Sequence, residues 1–357
     1  MQMLLANQDL PRLLELMARE RELYVPVRDD GGGRFARWSD LALAANEDVT
    51  SALMLEGVAT RRPAKNVLFA ETATLFRFRL EQGDFHLEAP GPGPSPRVIF
   101  GARPCDGRGF LVVDTLLAGP HGGDTDYQQA REASLLVGIG CTTPGADCFC
   151  TSVGGDPHSR DGLDVLLTDL GEEYLIESIT EPGRHWLNGL LDREASLLHE
   201  AGEGDTERAR VLQQKARQRV PRRVDIRRLP EILERSFDSE VWATVAPACI
   251  GCGACTFLCP TCRCFDIQDL VQGDRGARVR VWDSCMFGEY TQEAGGHNPR
   301  PRRSQRWRNR FYDKFHWSGD GRGNPACVGC GRCISHCPSG IDLVEMIERV
   351  ITAGGKA

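Results

Sequence analysis

Two cysteine runs near the C-terminus constrain this chain more than any other stretch. The first reads Cys249-Ile-Gly-Cys252-Gly-Ala-Cys255-Thr-Phe-Leu-Cys259-Pro260 and the second Cys327-Val-Gly-Cys330-Gly-Arg-Cys333-Ile-Ser-His-Cys337-Pro338. Both have the spacing C-x2-C-x2-C-x3-C-P. Three thiolates two residues apart wrap a tight loop around three corners of an iron–sulfur cube. The small residues between them, Gly251, Gly253, Ala254, Gly329 and Gly331, let backbone amides approach the sulfides, and glycine takes backbone angles that other residues resist. The fourth cysteine stands just beyond, before a proline that turns the chain away. Zinc is the alternative occupant, since paired C-x2-C motifs also build zinc sites. Two complete runs closed by Cys-Pro have the form of cluster loops rather than of zinc knuckles.

The spacing resembles that of bacterial ferredoxins, which hold two [4Fe-4S] clusters and in which the fourth cysteine of each run ligates the other cluster. The resemblance implies one cluster on Cys249, Cys252, Cys255 and Cys337 and a second on Cys327, Cys330, Cys333 and Cys259. Where a minimal ferredoxin needs only a hairpin between its runs, 67 residues separate Cys259 from Cys327 here.

A chain of 357 residues suggests two or three domains. Its 41 % hydrophobic and 26 % charged residues are ordinary for a globular protein that buries a core. The net charge of −7 opposes bulk binding to nucleic acid. No apolar run reaches the length of about 18 to 20 residues needed for a membrane span. Leu10, Leu13, Leu14 and Met17 recur at helical spacing among charges, so Gln8–Glu22 reads as an amphipathic helix and not as a signal peptide. Fifteen cysteines gathered in cluster motifs, with no export signal, imply the reducing cytoplasm.

The expected fold is α+β overall. An N-terminal α/β domain occupies residues 1–183, a helical connector 184–247, and a ferredoxin-like dicluster domain with a long insertion 248–357. Residues 1 to about 60 read as mostly helical, with a loop or hairpin at Asp29–Arg34. Pro63–Ala70 and Leu75–Leu80 read as extended, and Pro90–Pro96 as a loop. Val98–Gly101 and Leu135–Gly140 are apolar strands, each followed by a cysteine-bearing loop, with a helix after Pro104. Asp164–Asp169 and Glu173–Ser178 form a hairpin. Glu203–Val220 and Leu229–Trp242 read as helices, and Leu343–Ile351 closes the chain. Strands alternating with helices argue for an α/β layer, in which loops at the carboxyl ends of strands usually carry ligands. No convincing G-x-G-x-x-G and no P-loop is present, so no flavin or nicotinamide site is expected in this chain.

Seven further cysteines remain. Cys105, Cys141, Cys148 and Cys150 come from the two strand-end loops and suffice in number for a third [4Fe-4S] cluster. Phe149 would shield it from water. Zinc, or a set of buried or reactive thiols, are the alternatives. Cys262, Cys264 and Cys285, within the insertion, are one ligand short of a cube; either His297 completes an extra site, or the three pack beside the ferredoxin clusters. The basic stretch of residues 300–314 interleaves arginines with Trp307, Phe311 and Tyr312, as single-strand binders do. In an acidic protein the stronger reading is partner docking or neutralisation of cluster charge, since nearby arginines stabilise an added electron. Ser335 and His336 adjoin Cys337 and are either tuning groups or ordinary loop residues.

Cys259-Pro-Thr-Cys262-Arg-Cys264-Phe-Asp, Trp282-Asp-Ser-Cys285-Met-Phe and Gly295-Gly-His297-Asn-Pro-Arg300 together resemble the beta subunits of sulfhydrogenases. These belong to cytoplasmic NADP-linked nickel–iron hydrogenases that also reduce sulfur, and the corresponding iron–sulfur subunit of anaerobic sulfite reductase is similar. Gly101-Ala-Arg-Pro-Cys105-Asp and the Cys141, Cys148, Cys150 spacing share the likeness, which spans residues 63 to 345. It implies a non-catalytic iron–sulfur electron-transfer subunit of a cytoplasmic oxidoreductase. Its partners would be a catalytic subunit of hydrogenase or sulfite reductase type and a flavin-containing NAD(P)H subunit, with neither nucleic acid nor membrane span. The competing expectation is a reductase subunit with its own substrate-binding iron–sulfur site at Cys105, Cys141, Cys148 and Cys150.

Overall fold

The computed structural model describes residues 1–44, 49–88, 93–119 and 123–354. Of the expected Pro90–Pro96 loop, residues 90–92 lie outside them. In chain order the first elements are β1 (Gln2–Ala6), α1 (Leu10–Glu20), β2 (Glu22–Val27), β3 (Arg34–Arg37), α2 (Trp38–Ala44), α3 (Lys65–Leu68), β4 (Thr72–Glu81) and β5 (Asp84–Glu88). Then come β6 (Arg97–Ala102), α4 (Pro104–Leu117), α5 (Thr125–Glu132), β7 (Ser134–Ile139), β8 (Val165–Asp169), β9 (Glu173–Ser178), α6 (Glu181–Arg193), β10 (His199–Glu200) and α7 (Glu203–Gln218). The last third holds α8 (Leu229–Arg235), α9 (Val241–Val245), α10 (Ala254–Phe257), β11 (Phe265–Gln272), β12 (Arg275–Trp282), α11 (Arg303–Tyr312), α12 (Arg332–Ser335) and α13 (Leu343–Gly354).

Eight strands form the main sheet in the order β10-β1-β9-β8-β7-β6-β2-β3. Its centre is parallel, with β2, β6, β7 and β8 running the same way, and both flanks are antiparallel. Parallel strands are covered on both faces and therefore read as unbroken apolar runs; every residue of β7 is buried. Alternate residues of the same strands feed two cores. Val98, Phe100, Val137 and Leu167 pack with α1 and α6, while Ile99, Leu136 and Leu166 pack with Phe110 of α4 and Tyr127 of α5. This is the period of two that strand geometry imposes.

The amphipathic reading of the N-terminal helix holds, and α1 buries Leu10, Leu13, Leu14 and Met17. The mostly helical reading of residues 1–60 does not, because three strands lie there. Leu23-Tyr-Val-Pro-Val27 is rich in β-formers, and β2 gains its place by pairing with β6, about 75 residues away, which local periodicity does not report. Conversely, the supposedly extended Pro63–Ala70 contains the single turn of α3. The expected helix Leu229–Trp242 is broken into α8 and α9. Between them the Ser236 hydroxyl bonds to the Ile232 carbonyl and the Trp242 indole N–H to the Ser236 carbonyl, local bonds that compete with a continuing helix.

A second, antiparallel sheet has the order β11-β12-β4-β5. Its outer hairpin, β11 and β12, comes from the insertion between the cysteine runs, and β12 lies against β4 from the first quarter of the chain. The insertion is thus tied to the N-terminal third by a strand ladder. Among the described residues no helix is long and apolar enough to cross a membrane.

Leu14 is fully buried and Leu270 of β11 is 56 % exposed. Leu14→Ala should cost about 2–5 kcal/mol and Leu270→Ala within about 0.5 kcal/mol, read from the denaturant midpoints of the two variants against the parent.

Candidate metal centres

The two cysteine runs fold into matching loops. Gly251 and Gly253 in the first, and Gly329 and Gly331 in the second, all have left-handed backbone angles, with φ of 74°, 75°, 64° and 76°. L-residues with a β-carbon resist that conformation. Gly253 starts α10 and Gly331 starts α12, and these two short helices pack against each other. Each loop therefore delivers three cysteines on one side and passes its fourth across to the other loop.

Cys249, Cys252 and Cys255 line one cavity together with Cys337 of the opposite run, under Met286, Trp307, Ile341 and Leu343. The Cys337 sulfur accepts the Ile341 N–H at 3.3 Å. In the same crossed manner Cys259 lies among Cys327, Cys330 and Cys333, close enough for its charge to act on each of them. Burial pushes the Cys327 thiol up to about 12. The hydrogen bond with Cys262 holds the Cys259 thiol well below the ordinary thiol range; metal binding requires every ligand thiol to lose its proton.

Four long cations are buried around these thiols: Lys65 (2 % exposed), Arg310 (4 %), Lys314 (2 %) and Arg332 (3 %). Arg310 donates to the Cys255 carbonyl at 2.7 Å and to the Cys262 sulfur at 3.3 Å. Lys65 donates to the Cys262 carbonyl at 2.7 Å and lies 3.9 Å over the Trp282 ring. Lys314 bonds Thr261 at 3.0 Å and pairs with Asp313 at 2.9 Å. Among the described residues neither Lys65 nor Arg310 has a carboxylate partner. Burial lowers the Lys65 ammonium to about 8. A buried cation without a counter-charge is costly, and a [4Fe-4S] cluster on four thiolates is an anion that removes the cost. Donor set and stranded cations together fit such clusters.

The four N-terminal cysteines also converge. Cys105 sits in the first turn of α4, whose entry is fixed by Pro104 and by the Asp106 carboxylate accepting the Arg103 N–H at 3.3 Å. Cys141, Cys148 and Cys150 follow β7. All four line one cavity with Gly57, Val58, Pro144, Gly329 and Cys330. Burial pushes the Cys148 and Cys150 thiols up to about 12. The loop presses on the second cysteine run. The Phe149 N–H donates to the Gly329 carbonyl at 2.8 Å, and the Cys148 thiol lies 3.6 Å from the Cys330 carbonyl. Phe149 itself is buried. Among the described residues no three Cys, His, Asp or Glu donors converge tightly enough for a single ion.

Cys262, Cys264 and Cys285 do not meet at one point. Cys262 stands beside Cys259 and Arg310, and Cys264 beside Cys285 and the Tyr290 hydroxyl. His297 is exposed and faces Glu293 at 3.2 Å. The basic stretch forms α11 and turns largely inward: Arg306 caps the Met286, Arg300 and Pro301 carbonyls, and Trp307, Phe311 and Tyr312 are buried. Ser335 donates to the Asp147 carboxylate at 2.7 Å, and the His336 ring bonds the Arg332 carbonyl at 3.1 Å; both tie down their loop. Sequence reasoning missed Lys65, Asp106 and Arg332. The available signals were a lysine in the otherwise apolar Pro63–Phe69 stretch and an arginine inside the Cys330–Cys333 spacing.

Residues 248–341 match the family model of the 4Fe-4S dicluster domain, so the chain is an iron–sulfur protein of the [4Fe-4S] type. It is 31 % identical over 350 residues to the sulfhydrogenase 2 subunit beta of Pyrococcus furiosus, covering 97 % of this chain and 97 % of that protein. The chain belongs to the sulfhydrogenase beta-subunit family.

A β-carbon on Gly329 would lie 2.6 Å from the Cys150 backbone. Gly329→Ala should therefore lower the iron content of the purified protein, whereas Gly323→Ala, also left-handed but with open space around it, should retain it.

Proposed function

We propose that this chain is a cytoplasmic iron–sulfur electron-transfer subunit. It relays electrons between a catalytic subunit of hydrogenase or sulfur/sulfite reductase type and a flavin-containing NAD(P)H subunit. Family membership supports a role within a multisubunit oxidoreductase. The finer reading is that residues 248–357 form the ferredoxin-like dicluster unit and residues 1–183 an α/β unit carrying a third cluster, joined through 184–247. Cys249, Cys252, Cys255 and Cys337 hold the first cluster, Cys327, Cys330, Cys333 and Cys259 the second, and Cys105, Cys141, Cys148 and Cys150 the third. When bound, such clusters supply one-electron transfer at potentials set by charge, hydrogen bonds and burial.

The observation that carries this reading is the contact between sets. Cys330 of the second set lines the cavity of the third, and Cys333 lines that of the first. The order is therefore first, second, third. Cys252 and Ile250 of the first set are exposed, Ile250 by 59 %, which marks the end where a redox partner approaches most closely. Arg310, Lys65 and Lys314 lower the cost of adding negative charge between the first two sets. Four thiols satisfy all four corners of a third cube and leave no open iron position, which favours a relay over a substrate-binding site. Cys262, Cys264 and Cys285 are read as thiols packed beside the first two sets.

Anaerobically purified protein should hold about twelve irons and about twelve acid-labile sulfides per chain, and about eight irons after Cys150→Ser. About eight irons in both would remove the third cluster. Cys252→Ser should abolish electron transfer through the assembled complex while its partners stay bound. Undiminished transfer in that variant would overturn the relay.

A further inference from the structure

The segment that leaves α7 and leads to α8 reads Lys215-Ala-Arg217-Gln-Arg219-Val-Pro-Arg222-Arg223-Val-Asp225-Ile-Arg227-Arg228. It carries seven cations and one carboxylate in a chain of net charge −7. Its backbone is pinned to the loop of the third cysteine set. The Arg222 N–H donates to the Cys148 carbonyl at 3.2 Å, and the Val224 N–H to the Ser152 hydroxyl at 2.9 Å. The Arg222 guanidinium pairs with Asp147 at 3.6 Å and Asp342 at 2.6 Å, and that of Arg217 with Asp156 at 3.0 Å. Arg217, Arg223 and Arg227 line one groove with Thr151 and Ser152, the two residues after Cys150.

Cations in the last turn of a helix meet its negative end, which accounts for Lys215 and Arg217 of α7. The other five cations lie beyond that helix. Arg228 stands at the start of α8, where the positive end of the helix dipole disfavours a cation. Four carboxylates pair with the segment, those of Asp147, Asp156, Asp225 and Asp342. Seven cations against four carboxylates leave a surplus of three. Among the described residues Lys215, Arg219, Arg223 and Arg228 form no ion pair, and all four are exposed. The surplus therefore lies on the surface beside Cys148 and Cys150, which are themselves partly exposed.

We propose that residues 215–228 are a docking surface for a freely diffusing acidic protein that carries one electron and exchanges it at the third set. The docking rests on charge, and the exchange rests on the third-cluster reading above. Permanent subunit interfaces are large and depleted of charge at their core, whereas electron-transfer encounters are small and steered by opposite charge. Exposed, unpaired arginines fit the second kind, and a guanidinium matches a carboxylate with two parallel bonds. The carboxylates among these arginines and the chain's net negative charge oppose a phosphate backbone. In the exchange the carrier loses one electron as the third centre gains it, or the reverse, and no bond or proton moves.

The test measures binding of a plant-type [2Fe-2S] ferredoxin, an acidic one-electron carrier, to the full-length holoprotein by isothermal titration calorimetry. The parent should bind it at about 20 mM salt and at least about tenfold more weakly at about 200 mM. Arg223→Glu and Arg228→Glu should each lower the low-salt affinity about tenfold at unchanged iron content, and Arg223→Lys should restore it. Arg19→Glu makes the same charge change on α1, at the amino end of the parallel strands and away from the cysteine loops, and should bind as the parent does. No binding by the parent, equal weakening in Arg19→Glu, or tighter binding of a single-stranded oligonucleotide than of ferredoxin would overturn the docking surface. In stopped-flow mixing, the dithionite-reduced parent should pass electrons to oxidised ferredoxin. Cys150→Ser should bind as the parent does yet transfer at least about tenfold more slowly, since only about eight irons remain. Undiminished transfer in that variant would overturn exchange at the third set. Should Cys150→Ser lose all its iron, Arg223→Glu decides: transfer slowed in step with its affinity upholds the exchange, and a parental rate overturns it. A parent holding about eight irons would defeat the third-cluster reading and the exchange with it, and the docking surface would then stand or fall on the binding measurements.

Discussion

Lys65, Arg310, Lys314 and Arg332 face cysteines drawn from the runs, and all four are withdrawn from water. A cation in such surroundings persists only where an anion or a dense set of acceptors meets it. Burial drives the Cys327 and Cys333 thiols toward the neutral form, whereas the hydrogen bond with Cys262 holds Cys259 well below the ordinary thiol range. Lys314 and Arg332 have carboxylate partners in Asp313 and Asp106; Lys65 and Arg310 do not, and an iron–sulfur cluster on the neighbouring thiolates would supply the anion they lack. Much of the C-terminal architecture follows from that demand. Helix α11 turns Arg306 and Arg310 inward, and α3 sends Lys65 to the Cys262 carbonyl 197 positions away.

The apolar packing around the sites serves the same end. Trp307, Phe311, Tyr312 and Phe315 join Trp242, Leu343 and Ile347 in one cluster that also includes Phe149 from the third-site loop. Of the first two sets Cys249 is buried, Cys252 exposed and the rest partly buried, and charges in such surroundings act over longer distances than they would in solvent.

Backbone packing enforces the closeness of the second and third sets. A side chain at Gly329 or Gly331 would run into the Asp147–Cys150 segment. The glycines that let the second run curl around its own site therefore also let the third-site loop lie directly upon it. Both requirements fall on the same residues, which leaves little freedom to separate the two cysteine sets.

The sequence by itself determined the cluster chemistry. The spacing of eight cysteines, the glycines between them and the prolines after them are local constraints, and a tight loop around a cube depends on little else. Apolar runs such as Leu135–Ile139 and the Leu10–Met17 periodicity likewise declared their elements, because burial on both faces or on one face leaves a local mark. What only the tertiary structure decided were the long-range pairings. These include β2 beside β6, the insertion's β12 beside β4, and Cys105 brought to the Cys141–Cys150 loop. They also include Lys65 and Asp106 carried to cysteine runs some two hundred positions away. Such contacts depend on how the sheet and the two loops stack, and a single buried charge gives no periodic signal in the chain that would announce its partner.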